Sequence, residues 1–242
     1  MKTLVCVVFS LVILSVASLG NQLPLQPKIQ ILRIGEFHAN EVFAKSGEVW
    51  YGLYPSEDGY ELIASKITVE PIHDHLVDEY SEQTGKRVSV DQPAEPVLLI
   101  RGLESLQDGR VKTVFSGKKF LYPGESVSLK FDEGDYYGLA AFGLAADRGV
   151  ARPFDMVIYN YKIMISHIPW TKSQVVASFD IIALDGTPTL LWAGDLDRDG
   201  KLDLLMDLTD HYNVSAYTLF LSSMAEEGAL LRKVAVFRSV GC

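Results

Sequence analysis

Apolar positions along this chain come in short runs broken by turn residues, not in long helical stripes. Lys28 to Ile34 opens the series and Glu48 to Tyr54 follows. Pro55-Ser-Glu-Asp-Gly59 then predicts a tight turn into Tyr60 to Val69. Val97 to Ile100 and Arg110 to Phe115 flank a second Asp-Gly pair at Asp108-Gly109. Val127 to Phe131 alternates cleanly, which predicts one buried and one wet face. Met156 to Ile165 predicts a long strand, with Gln174 to Phe179 as its hairpin partner. Thr189 to Gly194, Leu204 to Leu208, Tyr217 to Leu221 and Arg232 to Arg238 complete the series. One segment predicts a helix, Asp74 to Thr84, with Gly85 as its C-terminal stop. Gln92-Pro-Ala-Glu-Pro96 predicts a loop, the natural seam between an N-terminal region (21–92) and a C-terminal region (97–242).

Between two of these runs lies the chain's most specific chemistry, Asp195-Leu-Asp-Arg-Asp-Gly-Lys-Leu-Asp203. Aspartates stand at positions one, three, five and nine, with glycine at six. Carboxylates spaced this closely repel one another, and a Ca²⁺ ion relieves that repulsion because it takes six to eight hard oxygen ligands. Asp195, Asp197, Asp199 and Asp203 offer side-chain oxygens, and Lys201 offers its carbonyl. Gly200 permits the sharp turn between the two halves. An EF-hand is excluded, since position twelve is Met206 and the flanks read as strands rather than helices. The expected fold is therefore all-β, with antiparallel sandwich or barrel-like units and a calcium-binding hairpin loop near the C-terminus.

Trp192-Ala-Gly194, the Asp-x-Asp-x-Asp-Gly-x-x-Asp loop and Leu204-Leu205 together resemble the calcium loop of FG-GAP and VCBS-type repeats. The resemblance spans about residues 189–208 and implies Ca²⁺ binding and β structure, in loops known from integrin-like propellers and from many secreted bacterial proteins. It implies no activity. No second copy of the pattern occurs, which argues against a propeller built from such repeats.

The N-terminus changes the setting. Met1-Lys2, the apolar run Leu4 to Leu14 and the small residues Ser15, Ala17, Ser18 and Gly20 read as a secretory signal peptide over residues 1–20. The run is too short for a comfortable membrane span, so no stable insertion is expected after cleavage. Cys6 departs with the signal and Cys242 is left without an internal partner, either free or paired with another molecule. The chain carries 31 Asp and Glu against 22 Lys and Arg. That balance excludes a nucleic-acid partner, which requires a basic stripe. It suits a periplasmic or extracellular protein.

Other groups carry weaker signals. His73-Asp74-His75 places two imidazoles two apart, as on one face of a strand, and Glu36 with His38 has the same spacing. Nothing in the sequence brings these two pairs together, and their ordinary reading is solvated polarity. Asp207, Asp210 and His211 follow the acidic loop and offer an acid–base set, though acids beside a metal loop more often serve as secondary ligands. Asn213-Val-Ser215 fits a glycosylation acceptor and also reads as a turn. The strand aromatics, Trp50 and Trp170 among them, read as core or as a carbohydrate-binding face. No phosphate loop, nucleophile elbow, His-Glu-x-x-His or Cys-x-x-Cys is present.

The expected function is an exported calcium-binding β protein, acting as a binding or structural module for a protein or glycan ligand. The alternative is a secreted hydrolase, for example on polysaccharide, with acids near the calcium loop. N-terminal sequencing of exported protein is expected to give a start between Ser18 and Gln22, and an intact Met1 in a membrane fraction would refute the signal peptide.

Overall fold

In the computed structural model the described residues are 29–147, 156–168, 172–183 and 186–241. The expected signal peptide, Trp170 and Cys242 lie outside them. The elements in order are β1 (Gln30–Leu32), β2 (Gly35–Phe37), β3 (Val49–Ser56), β4 (Gly59–Ile72), β5 (Gly85–Val90), β6 (Leu98–Arg101), β7 (Gly109–Phe120) and β8 (Ser126–Asp132). They continue with β9 (Asp135–Asp147), β10 (Met156–Ile168), β11 (Lys172–Ala183), β12 (Thr189–Asp195), β13 (Asp203–Asp207), β14 (Val214–Leu221) and β15 (Arg232–Val240). The expected all-β class holds. No helix among the described residues is long and apolar enough to cross a membrane.

The strands form two antiparallel sheets. An 11-stranded sheet runs β1-β6-β3-β4-β7-β12-β13-β14-β15, with β5 and β2 added alongside the distal half of β4. This path includes strands from both sides of Gln92–Pro96. Its two ends, β1 and β15, meet, so the sheet is a nearly closed barrel. Side chains rather than ladder bonds hold that seam. Phe37 and Phe237 stack edge to face at 5.1 Å, Glu41 Oε1 accepts the Val240 N–H at 2.6 Å, and Arg33 lies 4.2 Å over the Tyr217 ring. The second sheet is the four-stranded meander β8-β9-β10-β11.

Two apolar cores follow from this layout. The barrel interior holds Leu32, Trp50, Leu62, Leu99 and Phe237. The second core holds Leu129, Leu139, Ile163 and Ile165 of the meander. Strands β12, β13 and β14 stand between them and face both. Leu191, Trp192, Leu205 and Leu219 point into the barrel, and Leu190, Ala193, Leu204 and Phe220 into the second core. A strand buried on both faces needs a continuous apolar run, which is what Thr189 to Gly194 and Leu204 to Met206 supply. A bulge between Leu190 and Trp192 lets Leu191 and Trp192 both serve the barrel side.

The sequence reading errs in three places. Residues 74–84 form turns, not a helix, and Gly85 opens β5 instead of stopping a helix. Side chains there capture the backbone: Asp78 Oδ2 accepts the N–H groups of Asp74 and Thr84, both at 2.8 Å, and Asp74 Oδ1 accepts that of Leu76 at 3.1 Å. Local bonds of this kind compete directly with a helical ladder. The strand expected over Lys28 to Ile34 is shorter, β1 at Gln30–Leu32 paired with β6, and a further strand not expected, β2 at Gly35–Phe37, follows it and pairs with β5. Strands β5 and β9 carried no clear signal. Strand β9 is rich in Gly and Ala, residues of low strand propensity, and is held between β8 and β10.

Because Leu204 and Leu205 are adjacent yet fill different cores, each change to Ala is expected to cost about 2–5 kcal/mol in chemical denaturation. A one-sided wall would make one of the two nearly silent.

Candidate metal centre

The acidic loop is the turn of the β12–β13 hairpin, as its flanks predict. Gly194 pairs with Asp203 in the last rung, with Asp195 ending β12 and Asp203 opening β13. A Cβ at Gly194 would lie 2.0 Å from the Lys112 carbonyl and 2.5 Å from the Trp192 ring, so no other residue fits there. Inside the turn, Leu196 and Leu202 are both about 1 % exposed and sink into the barrel and the second core respectively. With both leucines buried, the alternate carboxylates are drawn inward. Gly200 takes φ +79°, as expected of the turn glycine, and Arg198 also sits in the left-handed region at φ 60°. The Arg198 guanidinium ties the loop to the neighbouring turn, donating to the carbonyls of Gln107 at 3.0 Å and Gly109 at 2.9 Å.

Asp195, Asp197 and Asp203 come together, each offering an oxygen within 4.8 Å of the others, and the cluster could hold a metal ion. All three are more than nine-tenths buried. Their other contacts are unequal. Asp203 is well supplied: Oδ2 accepts the Leu196 N–H at 2.8 Å, and Oδ1 accepts the Ser222 N–H at 2.8 Å and the Ser222 hydroxyl at 3.0 Å. Asp195 Oδ2 accepts the Gly200 N–H at 3.0 Å, and Asp197 Oδ2 accepts the Ser223 hydroxyl. The remaining oxygens, Asp195 Oδ1 and Asp197 Oδ1, are buried with no donor. A buried acceptor left without a donor is destabilising, and a carboxylate oxygen more so.

The electrostatics point the same way. Burial pushes the Asp195 carboxyl above its usual range, the Asp199 and Asp197 charges add to the shift, and the Gly200 N–H opposes it. Burial pushes Asp203 well above its ordinary value, and the Asp197 charge pushes with it against the N–H groups of Ser222 and Leu196. Two carboxylates about 5 Å apart repel by roughly 3 kcal/mol at an effective dielectric of about 20. That exceeds the roughly 1 kcal/mol that a typical hydrogen bond returns. A cation among the three would reverse the sign of this balance.

Of the expected side-chain ligands, Asp199 is not one of this trio. Asp199 is exposed, its oxygens accept the Ser222 hydroxyl at 3.0 Å, and its Oδ1 accepts the Lys201 N–H at 2.9 Å. Lys201 is exposed. Ser222, Ser223 and Arg198 escaped the sequence reading. The serines reach the loop only because β13 pairs with β14, which carries residue 222 back beside Asp203 across 19 positions. Among the other acids, Asp207 Oδ1 accepts the Ala216 N–H at 2.7 Å, and exposed His211 binds Asn213 Oδ1 at 2.5 Å.

Removing Asp203 leaves the buried N–H groups of Leu196 and Ser222 without an acceptor, so Asp203→Ala is expected to cost at least about 2 kcal/mol in chelator. Asp197→Asn removes a repelling charge and is expected to leave stability in chelator equal or higher, as read by urea denaturation. Compared with family models, with curated proteins and with solved structures, the chain matches none, so the metal reading rests on the geometry of this loop.

Proposed function

We propose that this chain is an exported calcium-binding β protein that acts as a binding or structural module for a protein or glycan ligand. The observation that carries the calcium assignment is the pair of buried, donor-less oxygens on Asp195 and Asp197, the two aspartates that cluster with Asp203. The donor set is entirely oxygen, which suits a hard cation and disfavours the softer transition metals. Spacing in an Asp-x-Asp-x-Asp-Gly turn on a β-hairpin, and the likeness to FG-GAP and VCBS-type loops, support Ca²⁺ as the ion. Asp199 and the Lys201 carbonyl then complete the shell. The signal-like N-terminus and the acidic balance support a setting outside the cytoplasm, where calcium is plentiful.

The binding role draws support from the outer face of the meander. Leu144, Tyr159 and Ile181 are cross-strand neighbours on β9, β10 and β11, at 67, 39 and 54 % exposure. A row of this kind on a water-facing sheet suits contact with a partner. The acids beyond the loop serve local structure: Asp207 holds the β14 backbone, and His211 holds Asn213. No observation favours the hydrolase alternative over the module.

Thermal melting tests the reading. If the ion binds only the folded chain, calcium a hundredfold above Kd adds roughly 2.7 kcal/mol. Exported modules can bind as weakly as about 10⁻⁴ to 10⁻³ M, so the titration must reach millimolar calcium. Calcium is expected to raise the melting temperature and chelator to lower it, with Mg²⁺ substituting poorly because it demands a tighter octahedron. The Asp195→Asn, Asp197→Asn double variant is expected to lose most of the calcium response. Melting indifferent to calcium and chelator throughout that range would reduce the loop to a solvated acidic turn.

A further inference from the structure

The His73–His75 pair and the Glu36–His38 pair, which the sequence could not connect, meet in the fold. β2 pairs with β5 and β5 with the end of β4, which carries residues 36–38 alongside residues 72–75. His38, His73, Asp74 and His75 line one cavity of about 140 Å³ between these elements. The strand β4 ends at Ile72, so His73 and His75 sit in the following turn, where their rings meet edge to face at 4.9 Å.

The hydrogen bonds of these rings set their chemistry. His38 Nδ1 is bonded to Asp74 Oδ2, and the Asp74 side chain is about 5 % exposed. His73 Nδ1 is bonded to the Glu82 carbonyl oxygen at 2.9 Å. A carbonyl oxygen accepts only, so His73 Nδ1 is the donor, and the same holds for His38 against the Asp74 carboxylate. In the neutral form of either ring the lone pair then lies on Nε2. Donation of one ring N–H to a carboxylate or backbone carbonyl is the arrangement that orients a metal-binding histidine and raises its basicity. Two adjacent histidines with this arrangement, beside a third, go beyond ordinary surface polarity.

We propose that His38, His73 and His75 form a site for a divalent transition-metal ion of the Zn²⁺ class, with Asp74 and the Glu82 carbonyl orienting the first two rings. Imidazole nitrogens suit Zn²⁺, Cu²⁺ and Ni²⁺ and not Ca²⁺, so this site and the aspartate loop select different ions. The ligand atoms of the three rings do not all lie within 4.8 Å of one another. Binding therefore needs a ring rotation. His75 is exposed, so turning its ring gives up the edge-to-face contact with His73 and no core packing.

Calorimetric titration of Zn²⁺ into the full chain, with millimolar Ca²⁺ present to fill the aspartate loop, tests the assignment. One saturable Zn²⁺ per chain in the micromolar range or tighter is expected. His75→Ala, at an exposed position that removes no core contact, should weaken binding tenfold or more, and His38→Ala and His73→Ala should do the same. Asp74→Asn should weaken it by about 10–100-fold through the loss of orientation. Melting curves in chelator establish that each variant is folded. Asp197→Asn should leave Zn²⁺ binding unchanged. Absence of saturable binding overturns the proposal, as does binding indifferent to His75→Ala or abolished by Asp197→Asn.

Discussion

A hairpin whose two strands are buried on both faces has few places to put polar groups, and in this protein they fall at its ends, with four aspartates gathered at its tip. Strands β12 and β13 are the wall shared by the barrel and the second core, so their side chains are apolar on both sides. The turn continues this rule with Leu196 and Leu202, one sent to each core. What remains between them is a set of carboxylates in a space from which water is largely removed. The barrel, the meander and the acidic centre thus depend on one another. Packing places the charges, at the tip of the wall on which both cores rest.

This arrangement also separates two kinds of ligand chemistry within one chain. The aspartate loop gathers oxygen at the junction of two cores, where the backbone is pinned by the Arg198 contacts and by the rungs around Gly194. The histidine cluster lies in a turn region at the edge of the barrel, supported by side chains that have taken backbone N–H groups away from any helix. The first is built into rigid structure and the second depends on local hydrogen bonds. Hard oxygen in a fixed cradle and imidazole in an adjustable turn match the coordination habits of the ions argued for each.

Much of the fold was legible because hydrophobic pattern and turn chemistry agreed. The turn within Pro55 to Gly59, the alternation of Val127 to Phe131 and the long β10–β11 pair all read directly, since each depends on neighbours in sequence. The loop was legible for the same reason: its three converging aspartates lie within nine residues. What failed depended on distance or competition. Strand β9 is held by its neighbours against its own Gly and Ala content, and residues 74–84 were claimed by aspartate side chains that a periodicity argument does not see. Ser222 and Ser223 are generic residue types whose place beside Asp203 and Asp197 comes from strand pairing alone. The pairs Glu36–His38 and His73–His75, 36 residues apart at the His38–Asp74 contact, were visible as pairs but not as one cluster.

The seam of the barrel carries a consequence for how the molecule assembles. Its closing contact, between Glu41 and Val240, joins residues 199 apart in sequence, and no ladder bond runs between β1 and β15 to reinforce it. Loop-closure entropy makes so distant a contact late to form, and the absence of shared backbone bonds makes it early to open. The chain therefore behaves as a folded ribbon fastened along one edge. A seam held by side chains, with no ladder beneath them, is where opening of the barrel breaks the fewest backbone bonds.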